Sequence, residues 1–407
     1  MNMAVISPTD RNALARLPFF FRQICRICAR IHYGALTFIL PDNRKIRFEG
    51  FEEREAEAVI IVKDYNFARR TLFGGDIGFF ESYADGEWET PDLSACLYIF
   101  ARNADHVQEV FKASAVVSFF QNLHHRFNRN TRKGSQRNII AHYDLGNSFY
   151  EKWLDPTMTY SSARFVRSGE DLSEAQIDKY KSLAQSIDLK PGERVLEIGS
   201  GWGGFAEYAA KEVGAHVTGL TLSPSQYEYA RERIFRAGLN DKVEFRLQDY
   251  RDVKESFDKV ASIEMFEAVG QQYWQTYFDK VRSILKPGGV AGLQIITIAD
   301  RFFERYIKST DFIQRYVFPG GELPSPKVLD ELIAKAGLKM RSVSEFGEDY
   351  ARTLRDWHDR FLARWDEIRP LGFDDRFKKL WEFYLSYCEA GFKAGTTNVR
   401  QVAASRS

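Results

Sequence analysis

The stretch that decides the fold is Arg194–Gly204, RVLEIGSGWGG, with the run Phe205–Glu212 behind it. Val195, Leu196 and Ile198 make a short apolar run, too brief for a helix and suited to a buried parallel strand. Gly199, Gly201, Gly203 and Gly204 then allow a sharp turn and let a ligand approach bare backbone. Phe205, Ala206, Tyr208, Ala209 and Ala210 resume at helical spacing. Strand, glycine turn and helix open a dinucleotide-type α/β fold, whose ligand lies over the turn and the helix N-terminus. Taken alone, the glycines describe an ordinary tight turn equally well. Glu197, two residues before Gly199, adds a preference. A carboxylate there suits ribose hydroxyls and repels phosphate, which points away from NAD and towards S-adenosylmethionine.

Downstream of this unit the alternation is regular. Ala215–Leu220 reads as a second strand and Ser223–Ala237 as a helix, with Ser223 as N-cap and Pro224 in its first position. Strands are expected at Val243–Leu247, Lys259–Ile263 and Val290–Ile298, the last after a helix at Tyr273–Leu285 that Lys286-Pro287-Gly288-Gly289 stops. Pro326–Ala336 is a further helix and Lys339–Glu345 a strand; helices at Ala351–Trp365 and Phe377–Lys393 precede a last strand at Asn398–Ala403. Such alternation specifies a mostly parallel sheet covered by helices on both faces.

Upstream, residues 1–115 read as a small α+β domain, 116–140 as a linker and 141–407 as the α/β domain. Phe19–Tyr33 is an amphipathic helix with arginines between Phe20, Ile24, Ile27 and Ile31, suited to its own domain or to a bilayer surface. Strands at Ala35–Leu40, Lys45–Phe48 and Ala58–Val62 follow, with a turn at Pro41-Asp42-Asn43, and then helices near Leu93–Ala101 and His106–Phe120. The run 124–137, HHRFNRNTRKGSQR, holds five basic residues and no acid. It reads as a solvated linker or as a site for anionic headgroups, worth about 1 kcal/mol per basic residue near such a surface.

With 57 basic and 56 acidic side chains, global charge gives no reason to propose nucleic acid. Four cysteines argue against a disulfide framework, and the single pair Cys25/Cys28 against a metal site. No apolar stretch is long enough to span a bilayer, because Arg22, Arg26 and Arg30 interrupt Leu17–Leu40. The expected location is cytoplasmic, with peripheral contact at the inner face of the membrane.

Several separated motifs together resemble the cyclopropane-fatty-acyl-phospholipid synthase family and its mycolic-acid-modifying relatives. They are GFFESYADGEW (78–88), AHYDLGNSFYEKWLDPTMTYS (141–161), VLEIGSGWG (195–203), GLTLS (219–223), SIEMFEAVG (262–270), FPGGELPS (318–325) and YCEAGF (387–392). The resemblance implies a Rossmann-like class I methyltransferase with a seven-stranded, mostly parallel sheet and a small lipid-binding N-terminal domain. It implies methyl transfer from S-adenosylmethionine to the double bond of cis-unsaturated phospholipid acyl chains, giving cyclopropanes; it alone points to a homodimer. By motif, Tyr160, Ser161, Glu197, Gly199, Ser200, Gly201, Thr221, Leu222, Gln226, Asp249 and Tyr250 would hold the cofactor. Asp249 is also placed to cap a helix.

The family's bicarbonate site falls on Ser162, Glu267, Gln294, Ile296 (through its backbone) and Tyr350. Two of these depart from the commonest pattern, since Ser162 stands where a cysteine is frequent and Gln294 where others carry histidine. The sulfonium is an activated donor, so the protein's task is to place the alkene, exclude water and supply a base. Bicarbonate would be that base, or Glu267 in its absence, so Glu267→Gln is expected to abolish turnover while sparing cofactor affinity. Phe266, Tyr160 and Tyr350 would face a cationic acyl carbon or simply line an apolar tunnel. Methyl-branched or methylene products, a small soluble acceptor, and a non-catalytic lipid-binding protein are the competing readings.

Overall fold

The computed structural model describes residues 5–6, 14–105 and 145–407. The helix expected at 106–120, the linker 116–140 with its basic run, and the first residues of the 141–161 motif lie outside the described residues. The chain divides into two units, one of residues 1–129, 309–315 and 373–394 and the other of 130–308, 316–372 and 395–407.

In the first unit, β1 (Val5–Ile6), β2 (Tyr33–Ile39), β3 (Lys45–Glu49), β4 (Glu52–Val62) and β5 (Trp88–Glu89) form one sheet in the order β1-β3-β2-β4-β5. The helix Phe19–Cys28 turns Phe21, Ile24, Cys25 and Cys28 inward and leaves Phe19 exposed. Burial pushes the Cys25 thiol up to about 12, the state of an inert core cysteine. A helix kinked at Gly75 (Asn66–Ala84) carries most of the motif GFFESYADGEW. Phe79, Phe80, Tyr83 and Trp88 are buried, Phe79 stacks on Trp88 at 4.2 Å, and the Trp88 indole donates to Ser82 Oγ at 3.0 Å. This motif therefore builds the core of the first unit.

Two later segments fold with it. The helix Asp375–Lys393 receives hydrogen bonds from Ser94 Oγ to Glu389 (2.8 Å) and from Tyr83 OH to Glu382 (3.1 Å). Phe312 N and Tyr387 OH both donate to Asp76. The division into 1–115 and 141–407 assigned residues 309–315 and 373–394 to the α/β domain; sequence order could not reveal that their partners are Tyr83, Ser94 and Asp76.

The second unit holds a seven-stranded sheet of β6 (Arg194–Ile198), β7 (His216–Thr221), β8 (Val243–Leu247), β9 (Phe257–Ile263), β10 (Leu285–Ile298), β11 (Leu338–Glu345) and β12 (Thr397–Arg406). Its order is β11-β12-β10-β9-β6-β7-β8, and only β12 runs antiparallel to its neighbours. Ser223 Oγ accepts from Gln226 N, and Pro224 opens the helix Pro224–Arg236. Lys286–Gly289 separates the helix Trp274–Ile284 from the regular part of β10 by a register shift between Leu285 and Val290. The helix Leu172–Ser186, started by a capping box of Asp171 and Glu174, has no counterpart among the elements expected from the sequence.

Chain order reverses at β6, which has β7 on one side and β9 on the other. In an open α/β sheet the ligand crevice lies at such a switch point, beyond the strands' carboxyl ends. The segments arriving there are Gly199–Gly204 after β6 and Glu264–Ala268 after β9.

Candidate active site

The first half of the site is the glycine turn. Gly199 and Ser200 donate their backbone N–H groups to Leu220 O, at 3.0 and 2.8 Å, which ties the turn to the end of β7. Gly199 and Gly201 have φ of 84° and 52°, in the left-handed region that favours glycine. A Cβ on Gly199 would lie 2.8 Å from Met265 Cγ, whereas one on Gly201 would enter open space. Just before the turn, Glu197 is 3% exposed and its Oε2 has no hydrogen-bond partner. Burial raises its carboxyl well above the ordinary value, against the pull of Lys179 and Arg233.

A buried acceptor without a donor, beside bare backbone, fits a ligand bearing hydroxyl or ammonium donors. S-Adenosylmethionine carries both. Beyond β7, Thr221 Oγ1 donates to Gln226 Oε1 at 2.9 Å and accepts from Ser223 N, which fixes both side chains at the crevice; Leu222 between them is half-buried. Asp249 caps the short turn Tyr250–Asp252 by accepting from Arg251 N at 2.9 Å, and its carboxylate also pairs with the Arg251 guanidinium. Burial works to raise this carboxyl, but the Arg251 bonds prevail and hold it below the usual range. The Tyr250 ring packs against Tyr277 at 5.4 Å.

The second half of the site is a buried polar cluster at the ends of β9 and β10. At its centre stands Glu264, which sequence reasoning passed over. Its Oε1 accepts from Ser162 N (2.9 Å) and Gln294 Nε2 (2.8 Å), and its Oε2 from Tyr350 OH (2.7 Å). Gln294 is held in that orientation because its Oε1 accepts from Gln401 Nε2 at 3.0 Å. Ser162 acts through its backbone, since its hydroxyl donates to Ala163 O. Glu267 is next to this group: Ile296 N donates to its Oε1 at 2.6 Å, and its Oε2 is buried without a partner.

Thus Ser162, Gln294 and Tyr350 do converge, but on a carboxylate of the chain itself, and Ile296 serves Glu267. No donor of this set remains for a bicarbonate ion, and an added anion would stand against two carboxylates. The residues present do not fit that ion.

Lys179 interacts electrostatically with both halves, through Glu197 of the first and Glu264 of the second. It is 0% exposed, donates from Nζ to Ser161 Oγ at 2.7 Å, and feels the charges of Glu264, Asp155 and Glu197. Burial lowers its ammonium to about 7. Gln176, one turn earlier, donates to Ser161 O. Tyr160, the residue before Ser161, sits among the rings of Tyr150, Trp153 and Trp357, with centroids 5.3, 5.5 and 5.3 Å away, and Phe318 at 6.5 Å. Phe266 belongs instead to the core, against Trp274, Tyr277 and Phe278, so it is no part of this aromatic wall.

Burial, and then the neighbouring charge of Glu264, push Glu267 up from 4.5 to about 8. A carboxyl with a raised folded-state value binds its proton more tightly when folded. Its contribution to stability is complete below about 4.5 and is lost as pH rises through about 8. Glu267→Gln removes this dependence, so the variant should match the parent's melting temperature near about pH 5 and exceed it near about pH 9. Thermal melts of the ligand-free proteins read this directly; equal differences at both pH values would contradict it.

Among the described residues, no group of three or more His, Cys, Asp or Glu is arranged to hold a metal ion, and no helix is long and apolar enough to cross a membrane. The sheet order, the glycine turn at the switch point and the buried acid before it define an S-adenosylmethionine-dependent methyltransferase. Residues 130–402 match the family described as mycolic acid cyclopropane synthetase, and the chain belongs to that family.

Two relatives are each 36% identical to the chain. The tuberculostearic acid methyltransferase UfaA1 of Mycobacterium tuberculosis aligns over 362 residues, covering 86% of this chain and 84% of its own. The cyclopropane-fatty-acyl-phospholipid synthase of Escherichia coli aligns over 353 residues, covering 86% and 88%. Among solved structures, the mycolic acid cyclopropane synthase CmaA1 complexed with SAH and CTAB superposes with a TM-score of 0.63 at 29% identity, over 67% of this chain and 98% of its own. The chain is thus an S-adenosylmethionine-dependent methyltransferase of the cyclopropane synthase type.

Proposed function

We propose that the enzyme methylates the double bond of cis-unsaturated acyl chains in phospholipids and closes a cyclopropane ring. The observation that carries this reading is the aromatic wall of Tyr150, Trp153, Tyr160 and Trp357, which runs into Ser161 and Ser162 along the chain and meets Tyr350 of the Glu264 cluster through Trp357, at 6.2 Å between ring centroids. Such a wall receives an apolar chain, excludes water, and offers ring faces to a positively charged carbon, worth about 2 kcal/mol where desolvated. In this reading the glycine turn, Glu197, Thr221 and Gln226 bind the cofactor, which supplies the electrophilic methyl group. Tyr160 and Trp357 orient the alkene, and the carboxylate cluster receives a proton.

In the first unit, Phe19, Phe20 and Phe73 form an edge-to-face group beside Arg22, with Phe19 and Phe73 exposed. Aromatic rings rimmed by cations suit a peripheral contact with an anionic bilayer.

The test uses S-adenosylmethionine with a trideuterated methyl and vesicles of cis-unsaturated phospholipid, with the released fatty acids taken to mass spectrometry. The expected product keeps two deuteriums and resists mild hydrogenation, as a ring does. Two deuteriums in a product that hydrogenates would mean a methylene branch and three a methyl-branched chain, and the similarity to the tuberculostearic acid methyltransferase favours these branched outcomes as the alternative. No labelled lipid would overturn the reading in favour of a soluble acceptor.

A further inference from the structure

We propose that Glu264 is the base of the reaction, a carboxylate built into the chain at the place where the family resemblance puts a bicarbonate ion. The inference deepens the lipid-methylation reading and rests on it for the identity of the acid.

The geometry is that of an anion site already filled. A bicarbonate ion presents a planar pair of oxygens to its donors, and so does a glutamate side chain. Ser162 N and Gln294 Nε2 meet one oxygen of Glu264, and Tyr350 OH meets the other. All three are positions that motif comparison assigned to the ion, and a fourth, Ile296 N, is taken by Glu267. None of these donors carries a charge, so together they favour the ionised carboxylate without neutralising it. Burial works against them and lifts the carboxyl above its ordinary value, which increases its strength as a base. The charge of Lys179 offsets part of that burial.

Glu267 is unsuited to the same task. Its second oxygen has no donor, and at about 8 it keeps its proton at neutral pH. The two neighbouring carboxyls thus differ in setting: Glu264 accepts from three donors and has the charge of Lys179 to offset burial, whereas Glu267 accepts from Ile296 N and is raised again by the charge of Glu264. Glu264 also has φ of 49°, outside the region usual for a side-chain-bearing residue, and its N–H is fixed to Gln294 O at 2.8 Å. Backbone strain of this kind, of order 1–3 kcal/mol, collects where a functional side chain must be aimed.

The step balances as follows. One alkene carbon accepts the methyl group and its neighbour is left positively charged. A Glu264 oxygen takes a proton from the new methyl, and the electron pair of that C–H bond forms the bond to the charged carbon. The products are a cyclopropane, S-adenosylhomocysteine and a protonated Glu264, with no oxidant or further reactant.

Glu264→Ala vacates the donors, and Glu264→Gln fills the same volume without a basic oxygen. Binding of isotope-labelled bicarbonate is followed by NMR, and lipid methylation is measured in carbon-dioxide-purged buffer, with and without millimolar bicarbonate or formate. The wild-type enzyme is expected to bind no bicarbonate and to run at one rate in all buffers. Glu264→Ala should be slower by about 100-fold or more, should bind bicarbonate, and should regain part of its rate with either anion. Glu264→Gln should melt near the wild-type temperature, stay inactive and gain nothing from the anions.

Bicarbonate binding by the wild type, a wild-type rate that drops on purging, or a Glu264→Gln enzyme of near-normal rate would each overturn the proposal. If no lipid is labelled by any protein, the lipid reading fails instead. The bicarbonate titration of wild type against Glu264→Ala then still decides whether Glu264 fills the anion site.

Discussion

Gly199→Ala is expected to leave no measurable turnover. A Cβ at this position meets Met265 Cγ at 2.8 Å and Cβ at 2.9 Å, atoms too close to the Met265 backbone to swing aside. The residue must also hold φ of 84°, which alanine adopts only with strain. The turn is pinned at Gly199 N and Ser200 N to Leu220 O, so relief has to come from the Met265 side. Met265 lies between Glu264 and Phe266, and pushing it outward displaces the carboxylate cluster together with the cofactor turn. A displacement of about 1 Å at a reacting centre costs about 100-fold in rate, and loss of cofactor affinity multiplies it. Calorimetric titration with S-adenosylhomocysteine and the deuterium-labelling assay measure the two losses. An active, cofactor-binding variant would show that the turn is not where the ligand lies. Gly201→Ala is the contrasting substitution, since its Cβ meets no atom within 4 Å and only its φ of 52° is affected.

The second large effect is expected at Lys179. Lys179→Met preserves most of the side-chain volume and removes the amine that donates to Ser161 Oγ in a fully buried setting. Glu197, Glu264 and Asp155 then lose the one cation whose charge reaches all three through this pocket. Breaking a buried charge cluster from one side costs about 3–5 kcal/mol, because the remaining charges stay buried without compensation. Glu197 and Glu264 respond by holding their protons more tightly, so Glu264 reaches the ionised state it needs only at a higher pH. We expect Lys179→Met to unfold at markedly lower denaturant and to need a higher pH for its residual activity. Lys179→Arg, whose guanidinium cannot lose its proton and is bulkier, should not restore the parent. A methionine variant with parental stability and an unchanged pH profile would mean that Lys179 is neutral in the folded enzyme and serves only packing.

The contrast between Gly199 and Lys179 also shows what the sequence makes legible. Gly199 stands in a strand–glycine–helix pattern whose physics is local: backbone freedom, a short apolar run, a resumed helical period. The strands expected from Arg194 onward, and the cap at Ser223, follow from patterns of that kind and appear in the structure within a few residues, whereas the short helices Asp300–Tyr306 and Phe312–Tyr316 have no counterpart in the sequence reading. Lys179 lies on the helix Leu172–Ser186, whose buried stripe is Leu172, Ala175, Gln176, Lys179, Tyr180, Leu183 and Ala184. Two polar residues on the buried face break the apolar period by which a helix is recognised, and they are the two that hold Ser161. The feature that hid the element is the feature that gives it a role. Glu264 escaped for a related reason. In SIEMFEAVG two glutamates stand three residues apart, and only the long-range contacts to Ser162, Gln294 and Tyr350 show which one is clasped by donors.

The assignment of residues 309–315 and 373–394 to the first unit means that the chain crosses from one unit to the other five times. A protein assembled this way is not two beads on a string. Deleting residues 1–129 would not release an intact catalytic half, because the helix Asp375–Lys393 would keep its place in the remaining sequence while losing the partners of Phe383 and Glu389. Shuffling, fusing or trimming this enzyme therefore has to respect three-dimensional membership instead of linear boundaries. The N-terminal segment is inherited with the catalytic one as a single folding commitment.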